Sequence, residues 1–453
     1  MNKPLVLCIL DGCGVREESD GNAFKNANKP TFDMLMNKYP HSILQASGPY
    51  VGLPEGQMGT SEVGHMNLGS GRVAIQPLEN ISASIENKEI YNNEKLLDIF
   101  EHVKKNNSNL HLFGLLSDGG VHSHINHLFG LLDMCKANNV NNVYIDVCLD
   151  GRDTYEKSAL TYLEQLDNKI KELGIGTIST ISGRYYGMDR DNNFDRLKLS
   201  YDAIVYGKGP SYNSYKDLIE ENYSNEKYDE FVIPGIINKC PLNDNDAIVT
   251  FNFRKDRIRE MFTLLSNPTA YEKDANEKNL TVKHFENLKV LTMYPVTETV
   301  TCPHAFDDLD LKNILVDYLH DNGLSQLRIA ETEKYPHVTF FFDGGKEVEY
   351  NDMKKILIPS PKVATYDLKP EMSVYEVTDN FLKEVENYDV TIMNLANGDM
   401  VGHTGVYEAA KQAVEDMDIC LTKIYNKVNE LGGILIIIAD HGNCDMMWDE
   451  NHE

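Results

Sequence analysis

The chain has 453 residues, 42% of them hydrophobic and 25% charged, with a formal net charge of −27. This is an ordinary globular composition with room for two or three domains, and the acidity argues against binding a nucleic-acid backbone or an anionic membrane. No apolar run approaches the ~18 residues of a membrane span, and the first strand-like run starts within four residues of Met1, so neither an anchor nor a signal peptide is expected. The eight cysteines are scattered without a CxxC pair. That argues against a zinc-thiolate site and fits a reducing, cytoplasmic setting.

In chain order, Pro4 to Leu10 is an apolar run ending in Asp11-Gly12. Gly59-Thr60-Ser61-Glu62-Val63-Gly64-His65 follows. Its glycines permit a tight turn, and a serine at a helix start has backbone N–H groups nearby for a phosphate. Two roles are open for Ser61: a plain helix cap, or a nucleophile. The G-x-S-x-G elbow of serine hydrolases is not met, because Val63 stands where its second glycine belongs. A serine outside that elbow can be activated by metal coordination.

The middle of the chain has its own strand-like runs. Leu110–Leu116 leads to His122, Val143–Val147 to Asp150-Gly151-Arg152-Asp153, Gly176–Ile181 to Arg184 and Arg190, and Ala247–Phe251 to Arg254, Arg257 and Arg259. Guanidinium groups grip phosphate and carboxylate with two bonds, so the set reads as a pocket for a small dianion in an otherwise acidic chain. Taken singly, each arginine is equally well a surface ion pair. His122 and Asp153 share this strand-end layer and could act as acid or base. The polar stretch Ala270–Leu280 reads as a surface excursion.

Lys334 precedes the apolar run Val338–Phe342 and is either a solvated lysine or a phosphate-holding cation. Val390–Leu395 leads to Asp399 and His403, four apart and on one face if a helical turn begins there. Tyr407–Leu431 has the apolar spacing of a helix, stopped by Gly432-Gly433. Ile434–Ala439 reads as a buried strand of a parallel sheet and ends in Asp440-His441.

The alternation of strands and helices predicts an α/β fold with parallel sheets. Three distant strands end in oxygen and imidazole donors suited to a divalent metal, and strands of one sheet would bring these ends together. The chemistry changes from metal-type residues to arginines and back. That predicts a discontinuous domain of residues 1–76 and 306–453, with a second α/β domain, 77–305, inserted into it.

The segments Ile9-Leu10-Asp11-Gly12, Gly59 to His65, Leu115-Leu116-Ser117-Asp118-Gly119-Gly120-Val121-His122-Ser123-His124, Asp150 to Asp153, Phe251-Asn252-Phe253-Arg254, Asn397-Gly398-Asp399-Met400-Val401-Gly402-His403 and Ala439-Asp440-His441-Gly442-Asn443 resemble cofactor-independent phosphoglycerate mutase, of the alkaline phosphatase superfamily. The resemblance implies an alkaline-phosphatase-like domain carrying an inserted substrate-binding domain. It implies interconversion of 3-phosphoglycerate and 2-phosphoglycerate in glycolysis without 2,3-bisphosphoglycerate, by a protein that is typically monomeric. It further implies Ser61 as the serine that becomes phosphorylated, and two divalent metal ions, usually manganese. Asp11, Ser61, Asp440 and His441 would hold one metal, and Asp399 and His403 the other. His122, Arg152, Asp153, Arg184, Arg190, Arg254, Arg257 and Lys334 would bind substrate, with Asp153 handling the hydroxyl protons.

The resemblance also implies a later histidine, followed by Thr and a Pro-Val-Pro run, on the Asp399/His403 metal. His452 lacks that context and is not assigned the role. The expectation is a sequence short at its C-terminus, with that metal held poorly and little mutase activity from these residues alone. Two other readings are a phosphomonoesterase or phosphopentomutase of the same superfamily, and a non-catalytic binding protein. The Asp150 to Asp153 and Phe251 to Arg254 segments favour the mutase.

Overall fold

The computed structural model describes residues 3–448, so His452 lies outside the described residues. The described residues form eleven strands: β1 Leu5–Leu10, β2 Leu110–Leu115, β3 Val143–Leu149, β4 Thr177–Gly183, β5 Gly235–Ile236, β6 Ala247–Thr250, β7 Lys289–Leu291, β8 Gln326–Glu331, β9 Met353–Ile358, β10 Val390–Leu395 and β11 Ile434–Ile438. They form two sheets in two compact units, one of residues 1–76 and 309–453, the other of residues 77–308. No described helix is long and apolar enough to cross a membrane.

The first unit holds a parallel sheet of order β11-β1-β10-β8-β9. The helix Tyr407–Glu430 buries its stripe of Ala410, Ala413, Val414, Met417, Cys420, Leu421, Ile424 and Val428. Most of that stripe packs with Val6, Cys8, Met393 and Leu395 of the sheet, and each large side chain so buried contributes about 1.5–3 kcal/mol. This crossover carries β10 to β11 across the top of β1, so the ends of β10, β1 and β11 stand side by side. One expectation is corrected here. β11 is an edge strand that leaves Ile434 and Ile436 exposed, at 61% and 45%. An all-apolar run does not by itself distinguish a central from an edge strand.

The second unit holds a sheet of order β5-β4-β3-β2-β6-β7, parallel except for the short β5. Helices cover both faces, as a buried parallel sheet requires. The polar 270–280 stretch is not wholly a surface excursion: residues 272–277 are helical, and Ala275 and Leu280 are buried. Two apolar anchors in a polar sequence are too few to register as a period.

Within this sheet, His111 of β2 and Asp146 of β3 form a buried pair with Nδ1 and Oδ2 2.7 Å apart. Burial disfavours the imidazolium, but the Asp146 carboxylate outweighs it and pushes His111 up to about 10 from its ordinary 6.5. A raised folded-state value contributes stability that is complete below about pH 6.5 and is lost as pH rises towards about 10. Denaturation midpoints should therefore fall between pH 6.5 and 9.5, by at most about 1.4 kcal/mol per pH unit from this pair. In His111→Gln that part of the slope should vanish; an unchanged slope would contradict the assignment.

Candidate active site

The first cluster lies at the carboxyl ends of β1, β10 and β11. Asp11 follows β1, and its Oδ1 accepts from the Ser61 hydroxyl at 3.0 Å. Ser61 opens the helix Ser61–Ser70. The cap is Thr60, whose Oγ1 accepts from the Val63 N–H at 3.4 Å. The cap reading of Ser61 is thereby corrected: its hydroxyl is left for other work. The Ser61 Oγ lies 2.8 Å from His441 Nε2 and accepts from Lys334 Nζ at 2.6 Å.

Lys334 is 3% exposed, and its ammonium also donates to Asp11 Oδ1 at 2.8 Å and Asp399 Oδ2 at 2.6 Å. All three of its donors are thus used inside the cluster. Burial opposes its charge, but the Asp11, Asp399 and Asp440 carboxylates hold it well above the usual lysine range. Lys334 closes the turn Thr332–Lys334 after β8, and the apolar run behind it forms a π-helical turn at His337–Phe341. The ammonium, and the His441 hydrogen bond, hold Asp11 well below the usual carboxylate range despite its burial.

Asp399 lies in the first turn of the helix Asn397–Gly402 after β10, and His403 sits four residues on with Nε2 3.2 Å from Asp399 Oδ1. His403 is mostly exposed. Asp440 Oδ1 accepts from the Gly12 and His441 N–H groups at 3.2 and 3.0 Å. Its Oδ2 is buried and makes no hydrogen bond, with His65 Nδ1 3.2 Å and His441 Nε2 3.5 Å away. All six residues expected at the metals, Asp11, Ser61, Asp399, His403, Asp440 and His441, thus converge on the Lys334 ammonium or lie next to a residue that does.

Asn394, His65 and Asn443 were missed by sequence reasoning. Asn394 Nδ2 donates to Asp11 Oδ2 at 2.6 Å, and Asn443 Nδ2 to Asp399 Oδ1 at 2.8 Å. His65 forms one compact donor group with Asp11 and Asp440, while Asp399 and His441 form another with Asp11. His65 is nonetheless fully engaged. Its Nδ1–H donates to the Ser61 carbonyl at 2.8 Å, which leaves Nε2 to accept from Asn394 at 3.0 Å. In that arrangement it braces the Ser61 backbone and Asn394 and has no lone pair free. The signal for His65 was its spacing of four from Ser61 on one helix, and for Asn394 a lone polar residue in an apolar strand.

Do these residues suit a divalent cation? Three carboxylates, two imidazoles and a hydroxyl are hard or borderline donors accepted by manganese, magnesium, zinc or cobalt. A buried carboxylate oxygen that makes no hydrogen bond, at Asp440, is what a cation would satisfy. The surplus of negative charge is felt by His441: burial opposes its charge, yet Asp11 and Asp440 push it up to about 9. The donor set fits.

Packing around the cluster leaves no slack. Gly12 has φ +70°, and a Cβ there would lie 2.6 Å from Asp399 Cα. Gly12→Ala should therefore cost about 1–3 kcal/mol and displace Asp399. Thermal unfolding and bound-metal content check this; unchanged values for both would contradict it.

The second cluster lies at the strand ends of the other unit. Arg184, 1% exposed, donates from Nη1 to Asp150 Oδ1 at 2.7 Å and Asp153 Oδ2 at 2.6 Å. Asp150 is the organiser that sequence reading left out. It also accepts from the Asp153 N–H at 2.9 Å and the Ser117 hydroxyl at 2.6 Å. Asp256 was missed too, and it gathers Arg190 and Arg254 at 3.3 Å each, with His122 Nδ1 3.6 Å away. Its signal was a carboxylate two residues beyond Arg254.

His122 Nε2 lies 3.8 Å from Asp153 Oδ2. Burial, then the Arg184 charge, pushes His122 down to about 4, so it is neutral at physiological pH. Arg257 donates to the Met188 carbonyl at 3.1 Å and is lowered by burial and by the charges of Arg184, Arg190 and Arg152. Arg152 is half exposed, 3.7 Å from Glu230. Buried Nε atoms of Arg184 and Arg257 and Nδ1 of His122 make no hydrogen bond. The structure thus gathers His122, Arg152, Asp153, Arg184, Arg190, Arg254 and Arg257 into one cationic cluster with spare donors, the electrostatics of an anion site.

Known proteins are similar to this chain in sequence and in fold. Residues 81–296 match the family described as BPG-independent PGAM N-terminus. The 2,3-bisphosphoglycerate-independent phosphoglycerate mutase of Clostridium novyi (strain NT) is 50% identical over 455 residues, covering 99% of this chain and 88% of that protein. The enzyme of the same name from Acetivibrio thermocellus is 49% identical over 459 residues, with the same two shares. A crystal structure of Leishmania mexicana phosphoglycerate mutase at low cobalt concentration superposes with a TM-score of 0.67 at 28% identity, covering 100% of this chain and 85% of that one. With an aspartate–serine–histidine cluster at one set of strand ends, an arginine cluster at another, and half of its residues shared with curated mutases along nearly its whole length, the chain belongs to the 2,3-bisphosphoglycerate-independent phosphoglycerate mutases.

Proposed function

We propose that this protein interconverts 3-phosphoglycerate and 2-phosphoglycerate, with Ser61 carrying the phosphoryl group between the two hydroxyls of glycerate. The observation that carries the reading is the Ser61 hydroxyl, held at a helix N-terminus between Asp11, His441 and the Lys334 ammonium. Asp11, Ser61, Asp440 and His441 would hold one divalent cation, and Asp399 and His403 a second, manganese in both. Bound there, the cations would lower the Ser61 hydroxyl pKa and neutralise phosphoryl charge.

The chain's own residues do the rest. Ser61 Oγ attacks phosphorus as the bond to the glycerate oxygen breaks. Lys334 Nζ, already on Ser61 Oγ, holds the phosphoryl oxygens as charge develops, since phosphoryl transfer needs mainly positioning and charge stabilisation. Arg152, Arg184, Arg190, Arg254 and Arg257 bind the substrate carboxylate and phosphate, with neutral His122 as a donor. Asp153, held by Arg184 and close to His122, enters the cycle protonated and gives that proton to the departing glycerate oxygen, which leaves as a hydroxyl. After glycerate reorients, it takes the proton from the other hydroxyl as that oxygen attacks phosphoserine. On this reading residues 1–76 and 306–453 are the phosphatase-like domain, and residues 77–305 the substrate-binding transferase domain. The protein works on a small molecule as a monomer in the cytoplasm, a setting consistent with its eight free cysteines.

An enolase-coupled assay with 3-phosphoglycerate and no bisphosphoglycerate tests the reading. Turnover, low for these residues alone, should be lost on dialysis against a chelator and return with manganese. Turnover that needs bisphosphoglycerate, or that survives chelation, would overturn it.

A further inference from the structure

Away from both clusters, three side chains line up as a nucleophile, a base and an orienting carboxylate. Cys240 lies in the segment between β5 and β6, partly exposed. Its Sγ is 3.9 Å from Nε2 of His111, whose Nδ1 is 2.7 Å from Asp146 Oδ2. Asp146 is itself fixed by the Thr180 hydroxyl at 2.8 Å, and the Tyr144 ring stacks on His111 at 5.7 Å. His111 is the second residue of β2, about 13 Å from the end of the strand where the arginine cluster begins.

We infer that Cys240 is a reactive thiol, activated by the His111–Asp146 pair and oxidised by hydroperoxides at a site separate from the phosphoglycerate machinery. The orientation follows from the hydrogen bonds. Asp146 holds the Nδ1–H, so Nε2 is the nitrogen that faces sulfur. Raised by its hydrogen-bonded Asp146 carboxylate, and further by Cys240 itself, the imidazole carries a proton on Nε2 at neutral pH and donates it towards Sγ. An adjacent imidazolium stabilises the thiolate, which is the nucleophilic form. The remaining cysteines lack these conditions. Cys8, Cys13, Cys135, Cys148, Cys420 and Cys444 are buried, and the partly exposed Cys302 is pushed up to about 11 by burial.

The chemistry balances with hydrogen peroxide as the oxidant. The thiolate sulfur attacks one peroxide oxygen, the S–O bond forms and the O–O bond breaks. The departing hydroxide takes a proton from His111 Nε2 or solvent and leaves as water. Sulfur loses two electrons, peroxide gains them, and Cys240 becomes a sulfenic acid.

The test treats the reduced, folded protein with hydrogen peroxide in the presence of dimedone and maps adducts by mass spectrometry. Cys302 serves as the internal standard, and iodoacetamide labelling in denaturant normalises the two peptides. Cys240 should be labelled at least about tenfold faster than Cys302; equal or slower labelling overturns the inference. In a His111→Gln protein verified as folded by circular dichroism, the Cys240 rate should drop to that of Cys302, and an unchanged rate also overturns it. If His111→Gln does not fold, the Cys240 to Cys302 ratio in the unsubstituted protein decides alone.

Discussion

Ser61→Ala should lower mutase turnover by about 10⁴-fold or more, because it removes the atom that accepts the phosphoryl group. Ser61 is 8% exposed, and its hydroxyl touches Asp11, His441 and Lys334 at 2.6–3.0 Å. The fold should be almost unaffected, because Thr60 rather than Ser61 caps the helix. Losing Thr60 would cost about 1 kcal/mol, whereas Ser61→Ala spares that bond. The expected result is therefore an inactive protein with a near-normal melting temperature, read by the enolase-coupled assay and calorimetry. Retention of more than a few per cent of turnover would mean that the phosphoryl group travels by another route.

Lys334→Met should combine a loss of turnover of about 10²–10³-fold with a marked loss of stability. The turnover term follows from removing a fixed cation from the oxygens of the transferring group. The stability term follows from burial. Without the ammonium, Asp11 and Asp399 are left as uncompensated carboxylates, and breaking a buried ion pair from one side costs about 3–5 kcal/mol. Lys334→Arg should not restore either property. A planar guanidinium cannot reproduce three convergent bonds from one nitrogen to Asp11, Ser61 and Asp399. Chemical denaturation beside steady-state kinetics checks both terms. An unchanged melting temperature in metal-free Lys334→Met would show that the lysine does not balance these carboxylates.

Much of this candidate site is legible from the chain because the residues proposed as its metal ligands follow apolar strands. Asp11, Asp399 and Asp440 each come within four residues of the end of a strand, and parallel strands of one sheet place those ends together. The arginines were legible in the same way. What escaped are the groups that hold the ligands still. Asn394 reaches Asp11 only because β10 pairs with β1 in the register Ile9 to Asn394, and no local pattern encodes a register. Asp150 and Asp256 act through side-chain bonds to arginines from other strands, a relation that exists only in the folded sheet. Ser61 and Thr60 both suit a cap, and sequence locates a helix start no better than to a residue or two. The exposed face of β11 and the buried Ala275 and Leu280 reflect the same limit, since periodicity reports which residues are apolar and not what lies opposite them.

Rapid quenching after mixing with radiolabelled 3-phosphoglycerate, followed by peptide mapping, tests the central claim most directly. Phosphate recovered on Ser61, formed and discharged fast enough to account for turnover, is the result expected. Turnover with no phosphoserine at position 61, or with the label on another residue, would contradict it.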